Sequence, residues 1–291
     1  MSGLPQGADS RIRRLHRRLR RRPRNRPRFK GLSFNRMIPN LLTMLGLCSG
    51  LTSMRFALEG RFGPAVVAIT LAAAIDGLDG RLARLLKATS RFGAEFDSLA
   101  DFLCFGVAPA FLLYLWSLQA MHGFGFMPCL MFTVCMALRL ARFNAALDTG
   151  SHAAYTYNFF TGVPAPAGAG LVLFPLFAGL EARAQGWGWV LSFLQSPGFC
   201  AFVLIGTALL LVSTLPVWSF KNFKVPSQYV LPMLLGTGLF AALLVADPWA
   251  ALAAAGLIYV AMLPFSARSF RRLRREAEGE DDESASSADA S

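Results

Sequence analysis

Between residues 37 and 267 the chain runs through stretch after stretch of about twenty apolar residues with almost no charge among them, a pattern that a soluble fold cannot bury. Of the 46 charged side chains in 291 residues, 26 lie in the two ends, which leaves 20 for the 231 central residues. A soluble domain carries about a quarter charged residues; this chain carries 16% and is 54% hydrophobic. The expectation is an all-α integral membrane protein. Eight apolar segments stand out, at approximately 37–58, 63–83, 98–118, 125–143, 159–180, 198–218, 228–246 and 249–267. Each is near the ~20 helical residues that cross ~30 Å of hydrocarbon.

Basic residues orient the bundle. Residues 1–36 hold 13 Lys and Arg, and the connections after the second, fourth and sixth segments and the C-terminal end hold 13 more, against Arg55, Arg61 and Arg183 on the opposite side. The positive-inside rule then predicts about eight transmembrane helices with both termini cytoplasmic, a multi-pass protein of the inner (cell) membrane. The organisation expected is a basic cytosolic head at 1–36, a transmembrane domain at 37–267 and a tail at 268–291 that is first basic, then acidic and disordered. The head is too Arg-rich and too long for a cleaved secretory signal. A polybasic stretch beside a span reads as topology and anionic lipid headgroups, with no nucleic acid as partner. The five cysteines, Cys48, Cys104, Cys129, Cys135 and Cys200, lie in apolar surroundings without metal or disulfide spacing and read as small packing residues.

Five acidic residues of the core are packed into 26 positions. The chain reads Asp76-Gly-Leu-Asp79-Gly80-Arg-Leu-Ala83-Arg84, then Gly93-Ala-Glu95-Phe-Asp97-Ser-Leu-Ala-Asp101. Asp76 and Asp79 are three apart and Asp97 and Asp101 four apart, so each pair occupies one helix face, at the end of the second segment and the start of the third. Four carboxylates gathered at a membrane boundary repel one another and lose hydration, so positive charge belongs among them. Oxygen-only ligands favour Mg²⁺ or Mn²⁺, and four carboxylates suffice for two divalent ions. Gly77 and Gly80 clear space for a ligand, Gly93 allows a close helix approach, and Arg84 and Ser90 offer donors to phosphate oxygens. Helix caps neutralised by Arg81 and Arg84 are a blander reading, and a cation pathway a third; the position of the aspartates at one face beside a basic loop argues against the pathway.

The full pattern, D-x-x-D-G-x-x-A-R-x8-G-x3-D-x3-D, is filled by Asp76, Asp79, Gly80, Ala83, Arg84, Gly93, Asp97 and Asp101, and it resembles the signature of the CDP-alcohol phosphotransferase family. That resemblance implies a membrane enzyme that moves a substituted phosphate from a CDP-linked donor to an alcohol and releases CMP. It implies that Asp76, Asp79, Asp97 and Asp101 bind two divalent ions, that Asp101 is also the proton acceptor, and that Gly80, Ala83, Arg84 and Ser90 belong to the donor site. Asn40 and Thr43 on the first segment suit base or ribose contacts by hydrogen-bonding type, or cap the helix.

Further segments, Ile38-Pro-Asn40-Leu-Leu-Thr43, Phe105-Gly-Val-Ala-Pro109, Arg139-Leu-Ala-Arg142-Phe-Asn144, Thr161-Gly-Val-Pro-Ala-Pro166 and Ser219-Phe-Lys221, resemble the branch of the family whose donor is CDP-diacylglycerol and whose acceptor is L-serine. A homodimer is expected from the same resemblance. The carboxylate of serine needs a cation. Arg139, Arg142, Lys221 and Lys224 are available on the cytosolic side, with Arg142 and Lys221 preferred. Another acceptor, such as glycerol 3-phosphate, inositol phosphate or choline, would call for clustered extra cations or an aromatic cage.

Overall fold

Helix α1 (Phe34–Leu58) turns back into α2 (Phe62–Leu85) through a tight hairpin. The hairpin is closed by Gly60, whose φ of +71° is the left-handed conformation that glycine adopts without a Cβ clash. Gly60 N–H donates to the Ala57 carbonyl at 3.0 Å and Arg61 N–H to the Phe56 carbonyl at 2.9 Å, the paired bonds that satisfy a helix C-terminus. The computed structural model describes residues 34–86, 88–149, 159–161, 163–213, 216–218 and 227–262. The basic head expected at 1–36 (apart from the first residues of α1) and the tail expected at 268–291 lie outside them.

Helix α3 (Arg91–Asp101) continues through a π-helical turn (Phe102–Val107) into α4 (Ala108–Trp116), and a 3₁₀ segment (Leu118–Gly125) leads to α5 (Phe126–Thr149). Beyond it lie α6 (Ala165–Ala184), α7 (Gly188–Leu194), α8 (Pro197–Val212), α9 (Ser227–Ala246) and α10 (Pro248–Met262). Among the described residues, five helical stretches are long and apolar enough to cross a membrane, and α7 with α8, bent by 50°, makes a sixth if taken as one span. The last two of the eight expected segments are also helical, but Leu231–Ala246 and Pro248–Met262 are shorter than a full crossing. Asp247-Pro248 divides them: Asp247 caps α10, its Oδ1 accepting from Ala250 N–H at 3.2 Å.

The chain is a helical, multi-span membrane protein, as the composition requires, with small departures that proline and capping explain. The fifth expected segment is α6, which begins at Ala165 rather than 159, because Pro164 precedes it and Pro166 occupies its first turn. Residues Phe159–Thr161 instead pair antiparallel with Pro216–Trp218 as strands β1 and β2, and the helix expected to reach 218 stops at Val212. The third helix starts at Arg91, earlier than the expected 98, because Ser90 caps it, and this places Asp97 and Asp101 well inside a helix.

Burial follows helical period. On α2 the inward stripe is Ala65, Ala68, Ile69, Ala72 and Asp79, while Val67, Leu71 and Leu78 are exposed on the outer face. Phe105, Phe132, Leu112, Leu113, Met136 and Leu176 form the centre of the core, and α6 is the most enclosed of the spans. Small residues bring α1 against its neighbours: Ser49 Oγ donates to the Ala68 carbonyl at 2.7 Å, and a Cβ at Gly50 would meet Cys104 Sγ. All five cysteines are free, and Cys104, Cys129 and Cys200 are buried, in keeping with a packing role.

Candidate active site

The inward stripe of α2 ends on carboxylates, and the second half of α3 brings two more to meet them. Asp76, Asp97 and Asp101 each offer an oxygen within 4.8 Å of the others, all three half-buried. Asp79, only 3% exposed, stands beside the trio and is held differently, its Oδ2 accepting from Thr43 Oγ1 at 2.7 Å. Thr43 Oγ1 also lies 3.1 Å from the Pro39 carbonyl, one turn back on α1. A hydroxyl has one proton to give, and the charged acceptor is the stronger claimant. Thr43, which the sequence offers as a nucleotide contact or a cap, is therefore the residue that fixes the Asp79 carboxylate.

Two cavities meet at this Thr43–Asp79 pair. The deeper one, of about 10 Å³, is lined by Thr43, Asp76, Asp79 and Asp101 together with Gly46 and Cys104. That is the size of a single water or small ion. The outer one, of about 170 Å³, is lined by Asn40, Gly80, Ala83, Ser90, Gly93 and Asp97 among others. Asn40, Gly80, Ala83 and Ser90, four of the five donor-side residues expected from the sequence, thus share one cavity. Arg84 lies just outside it, exposed, with its Nε donating to the Gly80 carbonyl at 3.0 Å.

Local chemistry explains this shape. Ser90 Oγ accepts from Gly93 N–H at 3.0 Å and so caps α3, which fixes where the Asp97 face begins. A Cβ at Gly93 would stand 2.9 Å from Asn40 Oδ1 and 3.1 Å from Ser90 Oγ, so glycine is what lets α3 close on α1. Gly80 has open space on its free side. Gly93→Ala is therefore expected to displace the Asn40 amide and raise the KM for the donor about tenfold with little loss of Tm, measured by kinetics and thermal unfolding of the purified protein. Farther along α3, Ser98 Oγ accepts from Asn144 Nδ2 of α5 at 3.0 Å, which ties the helix bearing Asp97 and Asp101 to its neighbour.

Among the described residues no arginine or lysine forms an ion pair with any of the four aspartates; the ion pairs there join Glu59 to Arg55 and Arg61 at the far end of the α1–α2 hairpin. The capping-and-salt-bridge reading of the cluster thus lacks its arginines. Three carboxylate oxygens this close, without His or Cys, form an all-oxygen donor set that suits a hard divalent cation.

The two cations preferred for the acceptor fare differently. Lys221 lies outside the described residues. Arg142 is exposed, two turns before the end of α5, its Nη1 donating to the Val212 carbonyl at 3.3 Å. Arg139, one turn earlier, turns inward and donates from Nε to the Val163 carbonyl at 2.6 Å. Its place inside an otherwise chargeless run is the signal for that difference. The π-helical turn directly after Asp101 has no such signal; one extra residue in a turn rotates the helix that follows by about 100°, and it lets Cys104, Phe105 and Gly106 all face the core.

Residues 36–194 match the family model described as CDP-alcohol phosphatidyltransferase, and residues 228–264 match the one described as CDP-alcohol phosphatidyltransferase 2. The chain is 41% identical over 247 residues to the CDP-diacylglycerol–serine O-phosphatidyltransferase of Mycobacterium leprae, covering 85% of this chain and 80% of that one. It is 32% identical over 190 residues to the protein of the same name from Bacillus subtilis, covering 64% of this chain and 91% of the other. To the archaetidylserine synthase of Methanothermobacter thermautotrophicus it is 31% identical over 186 residues, 61% and 68% of the respective chains.

Proposed function

The chain belongs to the CDP-alcohol phosphatidyltransferase family, and from that premise we propose that it transfers the phosphatidyl group of CDP-diacylglycerol to the hydroxyl of L-serine, giving phosphatidylserine and CMP. One observation carries the reading: carboxylates from two adjacent helices converge within 4.8 Å, unpaired by any described cationic side chain, beside a cavity lined by Gly80, Ala83 and Gly93 of the family's signature. The relatives bearing the serine name, about 40% identical over 85% of this chain, support serine as the acceptor.

In this reading Asp76, Asp79, Asp97 and Asp101 hold two divalent ions, Mg²⁺ or Mn²⁺. Bound there, such ions supply neutralisation of the diphosphate charge and of the charge that collects on departing CMP. Asn40, Gly80, Ala83 and Ser90 receive the nucleotide and diphosphate in the outer cavity, with the Arg84 guanidinium at its edge as a planar donor to phosphate oxygens. Asp101 takes the proton of the serine hydroxyl as that oxygen attacks phosphorus. Holding a lipid and a water-soluble amino acid at one boundary supplies the proximity that the reaction needs. The site faces the cytoplasm of the inner membrane with both termini on that side, because a diphosphate cannot enter hydrocarbon cheaply whereas the acyl chains can stay between helices. The functional unit is a homodimer.

The test is to incubate the purified protein with CDP-diacylglycerol, Mg²⁺ or Mn²⁺ and a panel of labelled alcohols. The expected result is CMP release coupled to phosphatidylserine formation, with serine used far better than glycerol 3-phosphate, inositol phosphate or choline. Preference for one of those others overturns the acceptor. Metal flux across proteoliposomes with no CMP release overturns the transferase reading altogether.

A further inference from the structure

The hairpin end of the bundle carries two arginines that topology does not call for. Arg55, Arg61 and Arg183 are the basic residues on the side that the positive-inside rule leaves poor in them. Arg183 is used within the fold, its guanidinium carbon 5.3 Å from the centre of the Trp116 ring. Arg55 and Arg61 share a single acid, Glu59, at 3.0 and 3.3 Å, so the hairpin keeps a surplus positive charge. Both side chains are largely in the open. The guanidinium carbon of Arg61 also lies 4.9 Å from the centre of the Phe56 ring, and Phe56 is a wall of a groove of about 640 Å³. A cation thus stands at one end of that groove.

The groove is bounded by Phe56 of α1, by Pro64, Val67 and Leu71 of α2 and by Trp249 at the start of α10. A Cβ at Gly63 would stand 3.7 Å from the Trp249 ring, so the indole packs against the first turn of α2. The polar members of the lining have no donor to spare. Ser49 Oγ donates to the Ala68 carbonyl and Thr52 Oγ1 to the Cys48 carbonyl, each at 2.7 Å, and a hydroxyl has one proton to give. A lining that donates nothing suits a hydrocarbon chain, and the volume falls within the ~300–1,000 Å³ of sites that hold a small molecule.

We propose that this groove binds an anionic phospholipid of the leaflet opposite the carboxylate cluster, with an acyl chain along Val67 and Leu71 and the headgroup phosphate on Arg61. A guanidinium offers phosphate oxygens a planar pair of donors, and the surplus charge of the hairpin favours a headgroup with no compensating amine. Arg61 is ~22 Å of helix away from Asp76, so a lipid held at the hairpin has its headgroup at the other boundary from one held at the aspartates. The site also has a structural consequence. Residues Leu231–Ala246 of α9 are exposed almost throughout, so the α9 and α10 pair is held to the bundle through α10, where Ala251 is buried and Trp249 and Leu252 pack on the core. A lipid lodged between Trp249 and the hairpin strengthens that hold.

The test places the full-length protein in nanodiscs of phosphatidylcholine doped with phosphatidylglycerol that is brominated on its acyl chains, with phosphatidylcholine brominated at the same carbons as the control. Bromine quenches a tryptophan that it touches, and the signal lost in Trp249→Phe isolates the contribution of Trp249. Brominated phosphatidylglycerol is expected to half-quench Trp249 at about tenfold lower content than the control lipid, a preference that Arg61→Gln reduces at least about fivefold. Val67→Phe, which fills the groove, should weaken quenching by both lipids. In both variants the KM for CDP-diacylglycerol should stay within about twofold. Equal quenching by the two lipids in the unaltered protein overturns the proposal, as does an unchanged preference in Arg61→Gln. A KM for CDP-diacylglycerol that rises in Val67→Phe gives the groove to the donor's own chains instead. Quenching that appears only when a dimer is dissociated gives it to a second copy of the chain. Arg61 is an exposed residue, so its variant decides the question even if Val67→Phe fails to fold. Because quenching is read without turnover, the result stands whether or not the protein releases CMP with serine.

Discussion

Asp101→Asn is expected to reduce kcat by about 10²–10⁴-fold while leaving the KM for CDP-diacylglycerol and the half-saturating metal concentration within a few-fold of the unaltered protein. The asparagine keeps the shape of the side chain and one oxygen that can still act as a ligand, but it cannot accept a proton from the acceptor hydroxyl. Asp101 lines the deep cavity with Asp76 and Asp79 and is absent from the wall of the outer one, where Asn40, Gly80 and Ser90 lie. Loss of its charge should therefore spare donor binding. Steady-state CMP release across a range of donor, serine and metal concentrations separates the three effects. Turnover retained within tenfold would remove Asp101 from the role of base.

What the sequence could and could not disclose follows the range of each interaction. The inward stripe of α2 is local, so its period alone places Asp76 and Asp79 toward the bundle. The eight fixed signature positions likewise rest on spacing within two helices, and the outer cavity collects most of them. The bond from Thr43 to Asp79 joins residues 36 positions apart, and nothing in either neighbourhood announces it. Thr43 has the hydrogen-bonding type of a ligand contact, and only packing of α1 on α2 shows that its partner is a carboxylate. The inward turn of Arg139 and the outward turn of Arg142 are partly legible, because one lies inside an apolar run and the other at its end. The helix starts at Arg91 and Ala165 escape the pattern for a simpler reason: hydropathy reports where apolar residues begin, whereas Ser90 and Pro164 decide where the helix does.

Asp97→Asn and Asp76→Asn should fail in a different way from Asp101→Asn, and the difference tests the division of labour within the cluster. Each removes one charge from a trio whose oxygens lie within 4.8 Å. With no described arginine in an ion pair with these carboxylates, the charge that balances them has to come from bound cations. The half-saturating Mg²⁺ or Mn²⁺ concentration is expected to rise at least about tenfold in either variant, and excess metal should recover part of the activity. Chelation of the unaltered protein should abolish CMP release, and either metal should restore it. Direct metal titration by calorimetry gives a readout that does not depend on turnover. If the affinity for metal is unchanged in both variants while kcat collapses, the trio acts through proton chemistry and not as a cation site. If Asp101→Asn instead shifts the metal dependence as far as Asp97→Asn does, the three carboxylates are equivalent ligands, and the base has to be sought elsewhere in the cavity.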